Sequence, residues 1–163
     1  MDSELAARLG EALRARNWRL ATAESCTGGS LTAAVTAIAG SSSWFERGFV
    51  TYSNESKVEL LGVSPATLAR HGAVSEETAC EMLAGALAHS HADIAATITG
   101  IAGPDGGSPG KPVGTVCLAW QQRHGDAFVE TRHFPGDREA VRSQATAAAL
   151  EHLIALAADT ASA

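Results

Sequence analysis

The sequence lacks any apolar run of the ~18 or more residues that a membrane span requires, so no membrane partner is expected. Its cysteines are few. Cys26, Cys80 and Cys117 are odd in number and widely spaced, which argues against a disulfide framework or a zinc site and suits a reducing cytoplasm. Positive charge is also scarce: 12 Lys and Arg stand against 18 Asp and Glu, for a net charge of −6. A surface of that sign is a poor partner for nucleic acid, and an anionic ligand would need a local positive site. The first 16 residues form a charged amphipathic pattern without a secretory apolar segment, so export is not expected. Repeats, low-complexity stretches and internal linkers are missing too. What is present is a 163-residue chain, 45% hydrophobic, which suits a single domain over residues 1–163 with a core of its own and a frayed tail at 159–163.

Hydrophobic spacing divides the chain into alternating elements. Leu5, Leu9, Ala12 and Leu13 share one helical face, which predicts a helix over 2–16. A short strand at 19–23 follows. Leu31, Ala34, Val35 and Ile38 predict a second helix, ended at Gly40, with a loop at Ser41–Ser43. A strand at 48–52 leads to a short helix over 54–61, capped by Ser53 and stopped by Gly62. Pro65 opens another short helix at 65–70, and Ser75 caps a longer one to about residue 90. The run 93–99 is apolar on both faces, as a central strand should be. A Gly- and Pro-rich loop at 100–112 precedes strands at 114–120 and 127–134 with a hairpin turn at 124–126. Asp137 caps a long last helix to about residue 157. The early strands alternate with helices and favour parallel pairing, whereas the late strands form a meander. The expected fold is α/β, a three-layer α/β/α arrangement with a mixed sheet of about five strands.

Three loops follow the carboxyl ends of the first three strands, where ligands of open α/β sheets bind. In the first, Thr22-Ala23-Glu24-Ser25-Cys26-Thr27-Gly28-Gly29 turns a strand into a helix with small hydroxyl residues and two glycines, which frees backbone N–H groups and lets a ligand approach. Ser25 is the nucleophile candidate; an ordinary helix N-cap is the plainer reading. Cys26 is a rival nucleophile or a small buried thiol. No histidine lies in the three loops, and His89 and His91 are wrongly spaced for a metal on one helical face. Lys57, beside Val58, Leu60 and Leu61, is therefore the candidate base if its surroundings are apolar, and a solvated surface lysine otherwise. Tyr52 is either a rim tyrosine or a hydrogen-bond donor to substrate. The loop from Thr99 through Gly100, Ile101, Ala102 and Gly103 to Gly107 permits close backbone approach, although any turn-rich connection looks similar. Within it, Asp105 could hold the loop or touch a ligand. Arg138 and Arg142, one turn apart at the start of the last helix, read as an anion clamp or as cations offset by Asp137 and Glu139.

Several long stretches in order carry a resemblance. They are the Thr22–Gly29 corner, Gly40-Ser41-Ser42-Ser43-Trp44-Phe45-Glu46-Arg47-Gly48-Phe49-Val50-Thr51-Tyr52-Ser53-Asn54, Lys57, His71-Gly72-Ala73-Val74-Ser75, Thr99-Gly100-Ile101-Ala102-Gly103-Pro104-Asp105-Gly106-Gly107 and Lys111-Pro112-Val113-Gly114-Thr115-Val116. Together they resemble the CinA C-terminal domain family, from about residue 3 to residue 155. The resemblance implies hydrolysis of the carboxamide of nicotinamide mononucleotide to nicotinic acid mononucleotide and ammonia, without metal or cofactor. It further implies Ser25 as nucleophile, Lys57 as base, Tyr52 and Thr99 lining the site, and polar or phosphate contacts from Arg142. The phosphate would sit at the Thr27-Gly28-Gly29 helix start or at Arg138 and Arg142. The N-terminal domain of longer family members is not expected here. A cytoplasmic homo-oligomer is expected, a dimer favoured; Trp44-Phe45 and the alanine-rich last helix could be interface or core. The alternative is a non-catalytic pyridine-nucleotide-binding or oligomerising module.

Overall fold

The strand that is apolar on both faces occupies the centre of the sheet. A computed structural model describes residues 2–158; the expected frayed tail lies outside the described residues. In chain order the elements are α1 (Asp2–Arg16), β1 (Leu20–Glu24), α2 (Ser30–Thr36), β2 (Phe45–Val50), α3 (Asn54–Leu61), α4 (Pro65–His71), α5 (Glu76–Ala88), β3 (Ile94–Gly100), β4 (Thr115–Gln122), β5 (Ala127–His133) and α6 (Arg138–Ala158). The five strands form one sheet in the order β2-β1-β3-β4-β5. β1 pairs in parallel with β2 and β3, while β3, β4 and β5 form the antiparallel meander. The mixed α/β sheet is the one the element order implies.

Side-chain alternation explains the three layers. On β3, Ile94, Ala96 and Ile98 point into one core with Leu9, Leu13, Leu31, Val141 and Leu153, under α1, α2 and α6. Ala95, with Ala21 and Ala23 of β1 and Cys117 and Ala119 of β4, faces the opposite core against Met82, Leu83 and Ala86 of α5. Small residues dominate that second face, which lets α5 lie close to the sheet. α3 in turn packs tightly on α5: a Cβ at Gly85 of α5 would collide with the Leu61 carbonyl oxygen of α3.

The helix caps expected at Ser53, Ser75 and Asp137 form, and Ser64 adds another before Pro65. Ser53, Ser64 and Ser75 each accept a hydrogen bond from a first-turn amide, and Asp137 accepts from Ala140 N–H at 2.9 Å. The largest departures from expectation are in two elements. α2 stops at Thr36 and not near Gly40, because the chain tightens there: Ile38 N–H bonds to Val35 O, and Ser41–Ser43 is a 3-10 turn and not a loop. β2 begins at Phe45, earlier than residue 48, and ends at Val50. Glu46 and Arg47 interrupt the apolar pattern, but β2 is an edge strand, where charge is tolerated. Trp44, fully buried against Gly10 of α1, and the inward face of α6 belong to the core.

Candidate active site

The alternation that builds the layers also divides the labour at the end of β1. Leu20 and Thr22 face α2, and so does Glu24; Ala21 and Ala23 face the α3/α5 side, and Ser25 continues that parity. Ser25 N–H extends the ladder to Ile98 O at 2.9 Å, so the parity persists past the strand end.

Glu24 is fully buried and accepts four hydrogen bonds. Its Oε1 takes Thr27 Oγ1–H at 2.7 Å and Leu31 N–H at 2.9 Å; its Oε2 takes Thr32 N–H at 3.0 Å and Thr32 Oγ1–H at 2.7 Å. A buried carboxylate so surrounded is satisfied, and it fixes α2 to β1 at the helix's positive end. Sequence reasoning missed this role. The available signal was an acidic residue at the end of an apolar strand, seven positions before the first buried residue of the next helix.

On the other face stands Lys57, in the first half of α3, only 1% exposed. Its Nζ lies 3.1 Å from Ser25 Oγ, 2.9 Å from Thr51 O and 3.4 Å from Tyr52 O. Thr51 is itself placed by its N–H, which donates to Glu24 O at 2.8 Å. Among the described residues no carboxylate pairs with this ammonium. Burial penalises its charged form and pushes the Lys57 pKa below the ordinary 10.5. Burial acts oppositely on Cys26, raising the thiol to about 11, with Glu24 adding to the rise. The neighbouring sulfur is therefore a neutral, poorly reactive thiol, and the basic group in contact with a hydroxyl is Lys57.

Ser25 and Lys57 open into a cleft of about 280 Å³. Its walls bring together Ser25, Tyr52, Lys57, Thr99, Gly100, Ile101, Ala102, Gly103 and Arg138. Thr27, Gly28, Gly29 and Arg142 do not line it: Thr27 is wholly buried behind the corner, and Arg142 faces a neighbouring cavity of about 790 Å³ together with Ala102, Pro104, Val113 and Arg138. The cleft lies between β1 and β3, where chain order reverses across the sheet, the position at which open α/β folds bind ligands. Cys26, Asn54, Ala73, Val74, Asp105 and Gly106 complete the lining; of these, Asn54, Ala73 and Val74 were not expected at a ligand site. Ala73 and Val74 come from the α4–α5 turn, which Thr99 holds through its Oγ1–H to Ala73 O at 2.8 Å. Arg138 crosses the mouth, donating to Gly103 O at 2.7 Å and to Tyr52 Oη at 3.1 Å.

The arrangement supplies a hydroxyl beside a desolvated amine, backbone amides at a tight turn, and a cation at the rim. The turn's own hydrogen bonds run from Gly28 N–H to Ser25 O and from Ser30 N–H to Thr27 O. They leave the Cys26 amide outside the turn's hydrogen-bonding scheme. Among the described residues no group of three His, Cys, Asp or Glu side chains is placed to hold a metal ion, and no helix is long and apolar enough to cross a membrane.

Comparison with known proteins gives consistent matches. The family model for the CinA C-terminal domain matches residues 2–157. Nicotinamide-nucleotide amidohydrolase PncC of Escherichia coli (strain K12) is 56% identical over 155 residues, covering 93% of this chain and 94% of that protein. The protein of the same name from Pseudomonas putida is 54% identical, again over 93% of this chain and 94% of its own length. Among solved structures, a competence-damaged protein (CinA) superfamily member from Klebsiella pneumoniae superposes with a TM-score of 0.93 at 47% identity, covering 97% of this chain and 98% of its own. The competence/damage inducible protein CihA from Agrobacterium tumefaciens gives a TM-score of 0.92 at 47% identity, over 95% and 94% of the two chains.

Proposed function

The chain belongs to the CinA C-terminal domain family, and from that premise we propose that it hydrolyses the carboxamide of nicotinamide mononucleotide to nicotinic acid mononucleotide and ammonia. The observation that carries the reading is the contact of Lys57 Nζ with Ser25 Oγ at 3.1 Å inside a cleft at the carboxyl ends of β1 and β3.

Neutral lysine has two N–H donors and one lone pair. The carbonyls of Thr51 and Tyr52 take the donors, which turns the lone pair toward the Ser25 hydroxyl. Ser25 gives its proton to Lys57, and Oγ attacks the carboxamide carbon. The Cys26 amide donates to the oxyanion, a contact worth roughly 10²–10³ in rate where such donors have been removed. Protonated Lys57 passes its proton to the departing nitrogen, and ammonia leaves an ester on Ser25. Water, deprotonated by Lys57, hydrolyses that ester to the acid and restores the hydroxyl. Metal and cofactor are not part of this route.

The carboxamide enters the cleft, and the phosphate lies toward the mouth, where Arg138 joins the two cavities. Tyr52, 62% exposed and held by Arg138, covers the sugar side. The proposed location is the cytoplasm, in keeping with three free thiols. The proposed assembly is a homo-oligomer, a dimer first, to be tested by light scattering in solution. Trp44 and the inward face of α6 are core.

Ammonia release from nicotinamide mononucleotide by purified protein tests the activity. Folded protein that binds the nucleotide and releases no ammonia would be a non-catalytic nucleotide-binding module instead.

A further inference from the structure

Arg142 is a half-buried cation that faces away from the Ser25 cleft. Its two hydrogen bonds both go to main-chain carbonyls of the corner: Nε donates to Cys26 O at 3.2 Å and a terminal nitrogen to Thr27 O at 3.1 Å. The helix face that suggests an anion clamp thus has its arginine engaged by protein.

A trans peptide is planar, and its N–H and C=O point in opposite directions. In the Thr27–Gly28 peptide, the oxygen takes Arg142 and the N–H donates to Ser25 O at 3.0 Å. In the Ser25–Cys26 peptide, the oxygen is therefore pinned by Gly28, and the Cys26 N–H is directed the other way. Cys26 lines the cleft with Ser25. A chain of hydrogen bonds runs from the guanidinium through two peptide units to the amide next to the reactive hydroxyl. Hydrogen bonds in such chains polarise one another, and a cation at the far end strengthens the donor at the near end. The second contact, on Cys26 O, fixes the intervening peptide as well. The planar fork of the guanidinium holds the two successive carbonyls in one fixed geometry. Gly28 adopts the left-handed backbone the turn requires, with φ of +61°, and lies in van der Waals range of the Arg142 guanidinium.

We infer that Arg142 is a positioning residue for the oxyanion site, acting through the Cys26 and Thr27 carbonyls to aim and polarise the Cys26 amide, and is not the substrate's phosphate ligand. The inference rests on the amidase reading, in which that amide meets developing charge. Because Arg142 also borders the neighbouring cavity, direct contact with phosphate is the rival role.

The test measures Arg142→Ala and Arg142→Lys on nicotinamide mononucleotide and on its dephosphorylated riboside, with thermal melts as the fold control. It also follows the p-nitrophenolate burst when Ser25 is acylated by p-nitrophenyl acetate. Loss of an aimed oxyanion donor lowers kcat by about 10–100-fold on both amides with little change in KM. The burst rate falls in proportion, and Arg142→Lys, able to hold one carbonyl, lies between wild type and Arg142→Ala. A KM that rises about 10-fold for the nucleotide alone, with kcat and the burst unchanged, overturns the inference and makes Arg142 a phosphate ligand. If Arg142→Ala does not fold, the same split is read from Arg142→Lys. If wild type releases no ammonia, the amidase reading fails, and the burst still decides: a slowed burst supports the positioning role and an unchanged one overturns it.

Discussion

Lys57 Nζ and Ser25 Oγ stand 3.1 Å apart although 32 positions separate them in sequence. Strand parity brings Ser25 to the α3 side of the sheet, and the Ser53 cap starts α3 so that its fourth residue points back at the β1 corner. The amine must be neutral to act as a base, and burial favours that form. The kcat of the wild type should therefore rise with pH as Lys57 loses its proton, then level off, with a midpoint below the 10.5 of an ordinary lysine. Lys57→Arg, charged at every accessible pH, should lose about 10²–10⁴-fold and show no such rise. A pH–rate profile of both proteins checks this, and an unchanged profile in Lys57→Arg removes Lys57 from the mechanism.

The same burial carries a stability cost. A lysine whose pKa is lower folded than unfolded binds fewer protons in the native state, so its contribution improves as pH rises between the folded value and 10.5. Lys57→Met keeps the stem's packing without the charge. It should melt higher than wild type at pH 7, by roughly 2–4 °C for each kcal/mol relieved. The gain should shrink as pH approaches the ordinary lysine value. Calorimetry at two pH values measures it, and a variant that melts lower at pH 7 contradicts the desolvation account.

Glu24 anchors the corner without entering the cleft. Glu24→Ala strands four donors, those of Thr27, Leu31 and Thr32, in a site that is otherwise closed. The expected loss is about 3–5 kcal/mol in urea unfolding, beyond that of an ordinary surface change. Activity should fall in the fraction that remains folded, because the Ser25 turn begins at this carboxylate. An unfolding midpoint equal to wild type would show that the four bonds contribute nothing net.

Gly85 links packing to chemistry. A methyl there collides with the Leu61 carbonyl at the end of α3, the helix that carries Lys57. Gly85→Ala should cost about 1–3 kcal/mol by overpacking. Since a shift of about 1 Å at a reacting group can cost about 10²-fold in rate, kcat should drop while KM changes little. Full kcat at reduced stability would mean that α3 yields without moving Lys57.

What the sequence discloses here is mostly local. Ser53, Ser75 and Asp137 are legible as caps because each serves an amide three residues away. The β1 corner is legible because glycines and hydroxyls mark it. Elements paired across the sheet are harder. β2 starts early because an edge position excuses Glu46 and Arg47, and nothing in the local pattern reveals which strand is the edge. Ala73 and Val74 join the cleft through a turn held by Thr99, a contact across 26 positions. Glu24 resembles any acid before a helix until four donors close on it. Arg138 and Arg142 share a helical spacing and differ in role. Arg138 spans the mouth of the cleft, whereas Arg142 grips the corner from behind.

The central claim is that Ser25 becomes acylated by the nucleotide's carboxamide carbon with Lys57 as its base. Rapid-quench mass spectrometry of the protein mixed with nicotinamide mononucleotide tests it most directly. The expected result is a transient adduct of the substrate's mass less ammonia, on the peptide bearing Ser25, absent in Ser25→Ala and still formed in Cys26→Ala. An adduct on Cys26, or ammonia release undiminished in Ser25→Ala, would contradict it.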